Sequence, residues 1–240
     1  MISVCVATYN GGKFLYEQLT SILYQIGEDD EVIISDDGSN DETLSIIESI
    51  NDERIKLLHH EDNHGFTSNF ENALQNAKGD YIFLSDQDDV WMPDKVEKVI
   101  KALENYDLVV HDAELIDGEG KSLNKTYYST MHNRTGFLAN LWRTRWLGCC
   151  MAFKRDVLVY CLPFPPKIIA HDYWIGMMGM TKFKYCFMAE PLISYRRHGN
   201  NASPSSEKSN NSLFYKIITK RYNLVDAILK RKFSKCVSRK

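Results

Sequence analysis

The chain of 240 residues carries 29 Lys or Arg and 32 Asp or Glu, a net charge of −3, with 44% hydrophobic and 12% aromatic content. That composition is globular and sufficient for the core of one large or two small domains, and the near-neutral balance gives no footing for nucleic-acid binding. No apolar run has the length to span a bilayer, and the six cysteines show no C-x-x-C spacing, which speaks against a disulfide scaffold or a zinc knot.

The start, Met-Ile-Ser-Val-Cys-Val-Ala, enters a strand directly, without a basic n-region or a cleavage site, so a cytosolic location is expected. Apolar runs at Ile2 to Ala7, Glu31 to Ser35, Ile55 to His59, Tyr81 to Ser85 and Leu108 to His111 read as strands. The segments 14–25, 41–50, 66–77 and 93–104 read as helices, with Ser39-Asn40-Asp41, Pro93 and Asp94 as start signals. The alternation predicts an α/β fold, a parallel sheet with helices on both faces. After residue 112 the pattern changes: 121–145 reads as a long functional loop, 146–195 as short apolar runs around the Pro163 to Pro166 breaker, and 199–212 as a mobile Asn/Ser-rich stretch.

Charge concentrates at the end. From Leu213 to Lys240 there are nine Lys or Arg and one acid, Asp226, leaving 20 basic and 31 acidic residues before it, about +8 against −11. Leu213, Phe214, Ile217, Ile218, Leu224, Val225, Ile228 and Leu229 recur at roughly helical spacing among these cations, a pattern that fits both core packing and an interfacial helix on an anionic membrane. The organisation expected is a nucleotide-sugar-binding half at 1–112, an acceptor and base half at 113–212, and a basic amphipathic segment at 213–240.

In open parallel sheets ligands bind beyond the carboxyl ends of the strands, where strand order reverses. With the order 3-2-1-4, Thr8-Tyr9-Asn10, Asp36-Asp37-Gly38-Ser39 and Asp86-Gln87-Asp88 converge there. Strand alternation aims Asp86 and Asp88 at one spot, with no Lys or Arg beside them in sequence. Two carboxylates about 5 Å apart repel by roughly 3 kcal/mol at an effective dielectric of about 20, so a cation between them is expected. The set suits a nucleoside diphosphate: Tyr9 for the base, Asp37 for an imide N–H, and Mg²⁺ or Mn²⁺ on Asp86 and Asp88 for the diphosphate. For Tyr9 packing, and for Asp37 a turn or capping role, are the plain alternatives. Neither G-x-G-x-x-G nor G-x-x-x-x-G-K-[ST] is present.

The blocks Val6 to Gly11, Ser35 to Asp41, Asn63 to Phe66 with Asn69, and Gly79 through Asp86-Gln87-Asp88-Asp89-Val90-Trp91 together resemble family 2 of the inverting glycosyltransferases, which have the GT-A fold. The resemblance implies that Thr8, Tyr9, Asn10, Asp37, Asn69 and Asp86 hold the nucleotide, and that Asp86 and Asp88 hold the metal. Leu147 to Phe153, with Gly148, resembles the segment lining the acceptor side. His171-Asp172-Tyr173-Trp174 stands where the family has its acidic base motif, making Asp172 the base and leaving His171 in place of the usual first acid. Tyr195 to Asn201 is similar to a segment that closes over the diphosphate, with Arg196 and Arg197 on the phosphates and His198 near the metal; Trp91 and His171 are placed at the diphosphate or acceptor. The Asp-Gln-Asp-Asp-Val-Trp block with Arg-His-Gly-Asn resembles rhamnosyltransferase-like enzymes of surface polysaccharide synthesis, implying a UDP- or dTDP-sugar donor, dTDP-rhamnose among them, a glycan or lipid-linked acceptor, and a peripheral position at the inner face of the plasma membrane. Two rivals stay open: a sugar-phosphate nucleotidyltransferase, for which Gly11-Gly12-Lys13 is a short phosphate loop, and a non-catalytic nucleotide- or glycan-binding module.

Overall fold

A computed structural model describes residues 1–60, 65–131, 135–166, 168, 170–198 and 221–237, with the side chains of the last helix described to residue 232. The first half runs β1 (Ile2–Thr8), α1 (Gly12–Leu23), β2 (Glu31–Asp36), α2 (Thr43–Ile50), β3 (Ile55–His59), α3 (Phe66–Asn76), β4 (Tyr81–Asp86), a short β5 (Val90–Trp91), α4 (Lys95–Leu103) and β6 (Leu108–Asp117). β1 and β2 are buried along almost their whole length, because helices cover both sheet faces and every side chain must be apolar or paired. The helices bury single stripes: Leu15, Gln18, Leu19 and Ile22 on α1, and Asn69, Phe70, Ala73 and Leu74 on α3.

β3, β2, β1 and β4 pair in parallel in the expected order. Beyond β4 the sheet departs from a simple parallel series. β8 (Met151–Lys154) lies between β4 and β6, antiparallel to both, and β9 (Tyr185–Arg197) follows, parallel to β6 and antiparallel to β5. An antiparallel insert needs no crossover helix, so four residues entered from a 3₁₀ turn at Gly148–Cys150 leave no periodic signal.

The long loop expected at 121–145 is instead structured where it is described. β7 (Ser122–Thr126) pairs with β6, a 3₁₀ turn follows at Tyr128–Thr130, and α5 spans Phe137–Trp142. β7 is polar because it is an edge strand held by its ladder and by the Ser122 hydroxyl on Glu114, 2.5 Å away, so hydrophobic alternation could not mark it. At the α4 start Asp94 stands at the N-cap position, as expected. Asp94 has φ 63° and makes no side-chain capping bond, and Pro93 lies outside the helix. Asp41 does act at a helix start, accepting from the N–H of Thr43 (3.0 Å) and of Gly12 (3.1 Å), which ties α1 to α2.

The remaining helices are α6 (Arg155–Cys161), α7 (His171–Gly179) and α8 (Arg221–Val237). On α8, Leu224 and Ile228 are buried in the same hydrophobic cluster as Val4, Phe83 and Trp174. Its arginines fasten it down: Arg221 donates to the Leu141 carbonyl (2.9 Å) and Arg231 to that of Leu162 (2.7 Å). Core packing therefore holds for one face of the basic segment; Leu213 to Ile218 lie outside the described residues. No helix among the described residues is long and apolar enough to cross a membrane.

Candidate active site

Three loops meet at the carboxyl ends of β1, β2 and β4, and they are stitched to one another before any ligand is considered. The Thr8 hydroxyl donates to Asp36 (2.9 Å), whose other oxygen accepts from the Ser39 N–H (2.8 Å). Asn69 donates to the Thr8 carbonyl (3.1 Å), and Asp37 accepts from the Gly65 N–H (2.8 Å). Asn10, at φ 49°, accepts from the Asn40 N–H (2.9 Å) while its own N–H donates to the Ser39 hydroxyl (2.9 Å). Gln87 clamps the first loop to the third: it accepts from the Tyr9 N–H (2.8 Å) and donates to the Tyr9 carbonyl (3.1 Å). Gly11 lies directly under that amide, where a Cβ would collide with it. The Tyr9 ring, 55% exposed, stands free at the rim. Thr8 and Asn69 are buried behind the loop and shape it, so their contribution to nucleotide binding runs through the backbone they hold.

The acids gather in front of these loops. Burial, with Asp88 and then Asp172 adding repulsion, pushes the Asp86 carboxyl up to about 7. Asp89 is pushed well above the carboxylate range by burial and by Asp88 and Asp86; one of its oxygens accepts from the Arg196 N–H (2.9 Å), and the other, with the Cys149 thiol beside it, has no partner of hydrogen-bonding geometry among the described residues. Asp88 is raised by burial although His198 Nε2 sits 2.8 Å from its carboxylate. Asp172, in the first turn of α7, is pushed up to about 6 by burial, against the pull of backbone N–H groups at Tyr173 and Gly148. Gly148 faces this residue: a Cβ there would lie 2.8 Å from His171 Nε2 and 3.5 Å from Asp172 Cβ, so only glycine allows the approach.

A cluster of mutually repelling acids with that buried Asp89 oxygen among them fits a divalent cation. Ligand atoms of Asp86, Asp89 and Cys149 lie within 4.8 Å of one another. Burial holds Cys149 as a neutral thiol, so the two carboxylates are the hard donors of that set. The expected set of Asp86, Asp88 and His198 adjoins it, since Asp88 is the first charge acting on Asp86 and His198 Nε2 lies 2.8 Å from the Asp88 carboxylate. β4 ends at Asp86 and residues 87–88 form a turn, so strand alternation stops one residue too early, and Asp88 is engaged by His198. The absence of a cation beside the acids also fails in three dimensions. The Lys95 ammonium is buried 4.0 Å over the Trp91 ring, donates to the Cys149 carbonyl (3.1 Å), and counters Asp89 and Asp86; burial lowers it to about 8.

Three further residues expected on diphosphate or acceptor have contacts within the protein. Trp91 is buried, its indole N–H on the Ser85 hydroxyl (3.1 Å). Arg196 is buried with its guanidinium on Glu17 (2.8 Å) and the Asp88 carbonyl (3.0 Å), 4.7 Å over Phe14. His171 stacks on Phe70 at 3.9 Å, has no hydrogen bond to either ring nitrogen among the described residues, and is held neutral by burial, which lowers it to about 3. Arg197, the next residue of β9, is only partly buried. Asn63, His64 and Gly199 to Asn201 lie outside the described residues. Asp36 and Gln87 stand inside the converging clusters without an assigned role, and Asp89 inside the acidic block; Lys95 and Glu17 carry no motif signal. Two open grooves of about 430 Å³ and about 550 Å³ lie apart from Asp86, Asp88, Asp89 and Asp172.

A mixed α/β sheet with acids at the reversal point of its strand order defines a class, the GT-A nucleotide-sugar folds, and comparison with known proteins places the chain within it. The profile of glycosyl transferase family 2 matches residues 3–160, and the chain belongs to that family. It is 28% identical over 228 residues to an uncharacterized glycosyltransferase of Nostoc sp., covering 86% of this chain and 69% of that protein. It is 28% identical over 211 residues to the dTDP-rhamnosyl transferase RfbG of Shigella flexneri, covering 82% and 72%. Among solved structures, S. aureus TarS 1-349 in complex with UDP-GlcNAc superposes with a TM-score of 0.69 at 19% identity, over 97% of this chain and 72% of that one. Against another structure of S. aureus TarS 1-349 the chain covers 60% of that chain's length. The mannosyltransferase PcManGT of Pyrobaculum calidifontis, in complex with GDP-Man and Mn2+, gives a TM-score of 0.55 at 24% identity, over 79% and 54%.

Proposed function

We propose that the chain transfers a sugar from a nucleoside diphosphate donor to an acceptor hydroxyl with inversion at the anomeric carbon. The observation that supports this is the gathering of Asp86, Asp88, Asp89 and Asp172, near enough that Asp88 and Asp172 both act on the Asp86 carboxyl, beside the end of β4 where the Thr8 to Asn10 and Asp36 to Ser39 loops meet. The Tyr9, Asp37 and Asn69 loops would take the nucleoside. Mg²⁺ or Mn²⁺ would be held by Asp86 and Asp89, with Asp88 and His198 beside them, and when bound it supplies positive charge to the departing diphosphate. Asp172 takes the acceptor proton as the hydroxyl oxygen bonds the anomeric carbon, and the bond to the diphosphate oxygen breaks with its electron pair leaving on the phosphate. Gly148 leaves room for the close approach of His171 and Asp172. By analogy with the protein named above, a dTDP-sugar such as dTDP-rhamnose is one donor to test, alongside UDP-sugars, with a glycan or lipid-linked acceptor of surface polysaccharide synthesis.

The test is hydrolysis of UDP-, dTDP- and GDP-sugars with and without Mn²⁺, and the anomeric configuration of the product by NMR. Metal-dependent turnover of one nucleotide class and an inverted product are expected. Asp89→Asn should raise the Mn²⁺ dissociation constant at least about tenfold, the effect of losing one carboxylate ligand. Turnover that ignores chelator, or a retained configuration, would overturn the reading.

A further inference from the structure

Amphipathic surface helices bury their apolar stripe and show water a polar one, and α8 breaks that rule. Its inward face buries Leu224 and Ile228. Its outward face carries Tyr222 and Leu229, 66% and 49% exposed, seven residues apart and so on one side of the helix, with Val225 between them. α5 repeats the pattern with Leu138 and Trp142, four residues apart and 77% and 64% exposed. The two stripes are neighbours: the Arg221 guanidinium lies 4.8 Å over the Trp142 ring and donates to the adjoining Leu141 carbonyl. Exposed cations flank them, namely Arg143 after α5 and Lys230 and Lys232 on α8. Lys230 meets its helix neighbour Asp226 at 2.7 Å, and Asp226 is the sole acid among nine basic residues from 213 to 240.

We propose that α5 and α8 form a docking face for an anionic lipid bilayer, which holds the acceptor side of the site at the membrane surface. Exposed Trp and Tyr among cations suit the headgroup layer, where rings bury their apolar body and keep a polar edge wet, and lysines reach the phosphates. A second copy of the chain is the poorer occupant, because a two-fold contact would bring the same cations face to face. The face also adjoins the chemistry. The Leu141 carbonyl at the end of α5 accepts from the Tyr173 hydroxyl (2.9 Å), and Tyr173 follows Asp172. The docking role rests on the glycosyl-transfer reading only in naming a lipid-linked acceptor; the binding itself is independent of it.

The chain supplies its own probe. Of its four tryptophans, Trp91, Trp146 and Trp174 are 3%, 1% and 0% exposed, so a change in emission on adding lipid reports Trp142. The full chain is mixed with vesicles of equal parts phosphatidylglycerol and phosphatidylcholine, and with vesicles of phosphatidylcholine alone, at low and at physiological salt. Co-sedimentation with the anionic vesicles and a blue shift are expected, both weakened by salt. Tyr222→Ser with Leu229→Ser, and separately Lys230→Glu with Lys232→Glu, should weaken partitioning at least about tenfold, while circular dichroism and metal-dependent donor hydrolysis stay at the wild-type level. No sedimentation and no blue shift at low salt would overturn the proposal. So would a dimeric mass in solution that the Tyr222/Leu229 variant returns to monomer. Hydrolysis without vesicle binding sinks the docking face alone, whereas vesicle binding without hydrolysis sinks the transferase reading and leaves the face standing.

Discussion

Asp172 is the residue on which the proposed chemistry turns. Burial holds it at about 6, high enough to accept a proton late in the reaction and low enough to be ionised at neutral pH. Asp172→Asn keeps the size and the acceptor for the Tyr173 N–H yet cannot take the proton. Transfer should drop about 10²- to 10⁴-fold with donor affinity unchanged, measured by single-turnover transfer and by calorimetry with the nucleotide. In the wild type, transfer should rise with pH up to about 6 and then level, and the Asn variant should lose that rise. The position of Asp172 was legible through the motif order around it. The fate of His171 was not, because its stacking on Phe70 is made by a helix 100 residues away in the chain and only packing reveals it.

At the scale of elements, the stretch from β4 to α4 shows what sequence does and does not encode. Its strand, its acidic block and its helix stand where apolar periodicity places them. The turn at 87–88 also brings a ligand atom of Asp89 within 4.8 Å of one of Asp86, and turn geometry leaves no mark in an alternation pattern. The same turn sends Gln87 back to the β1 loop, a two-bond clamp between segments almost eighty residues apart that no local pattern could announce. Those bonds are at an exposed rim, so Gln87→Ala should cost under about 1.5 kcal/mol of stability by urea unfolding. It should nevertheless raise the KM for donor by roughly tenfold with kcat nearly unchanged, since it frees the loop that presents Tyr9 without touching the base. A fall in kcat with KM constant would show that Gln87 acts on the reacting centre itself. β7 and β8 were missed for a related reason: one is a polar edge, the other four residues long, and both exist because β6 offers a partner strand.

For the molecule as a whole, the site is stability given up for function, and the sign of that exchange can be read from pH. Folding raises Asp86 from the ordinary carboxyl value of 3.8 to about 7. Below about pH 4 the acid is protonated in both folded and unfolded chains and its full contribution is present; as pH rises through 7 the folded protein must ionise a buried group and that contribution is lost. His171 and His111, lowered by burial, work in the opposite sense, since their neutral folded forms lose stability as pH falls below the usual imidazole range. A difference measurement isolates the carboxyl. Asp86→Asn imitates the protonated acid at every pH, so in the metal-free chain its melting temperature should match the wild type near pH 4 and exceed it by about 3 °C or more at pH 8, the shift of roughly 1 kcal/mol in a chain of this size. Saturating Mn²⁺ at pH 8 should reverse the order, because the wild type gains binding free energy that the Asn variant lacks. If the metal-free variant is less stable than the wild type at pH 8, then Asp86 is satisfied by Lys95 alone, and the cation site must be sought at Asp88 and His198.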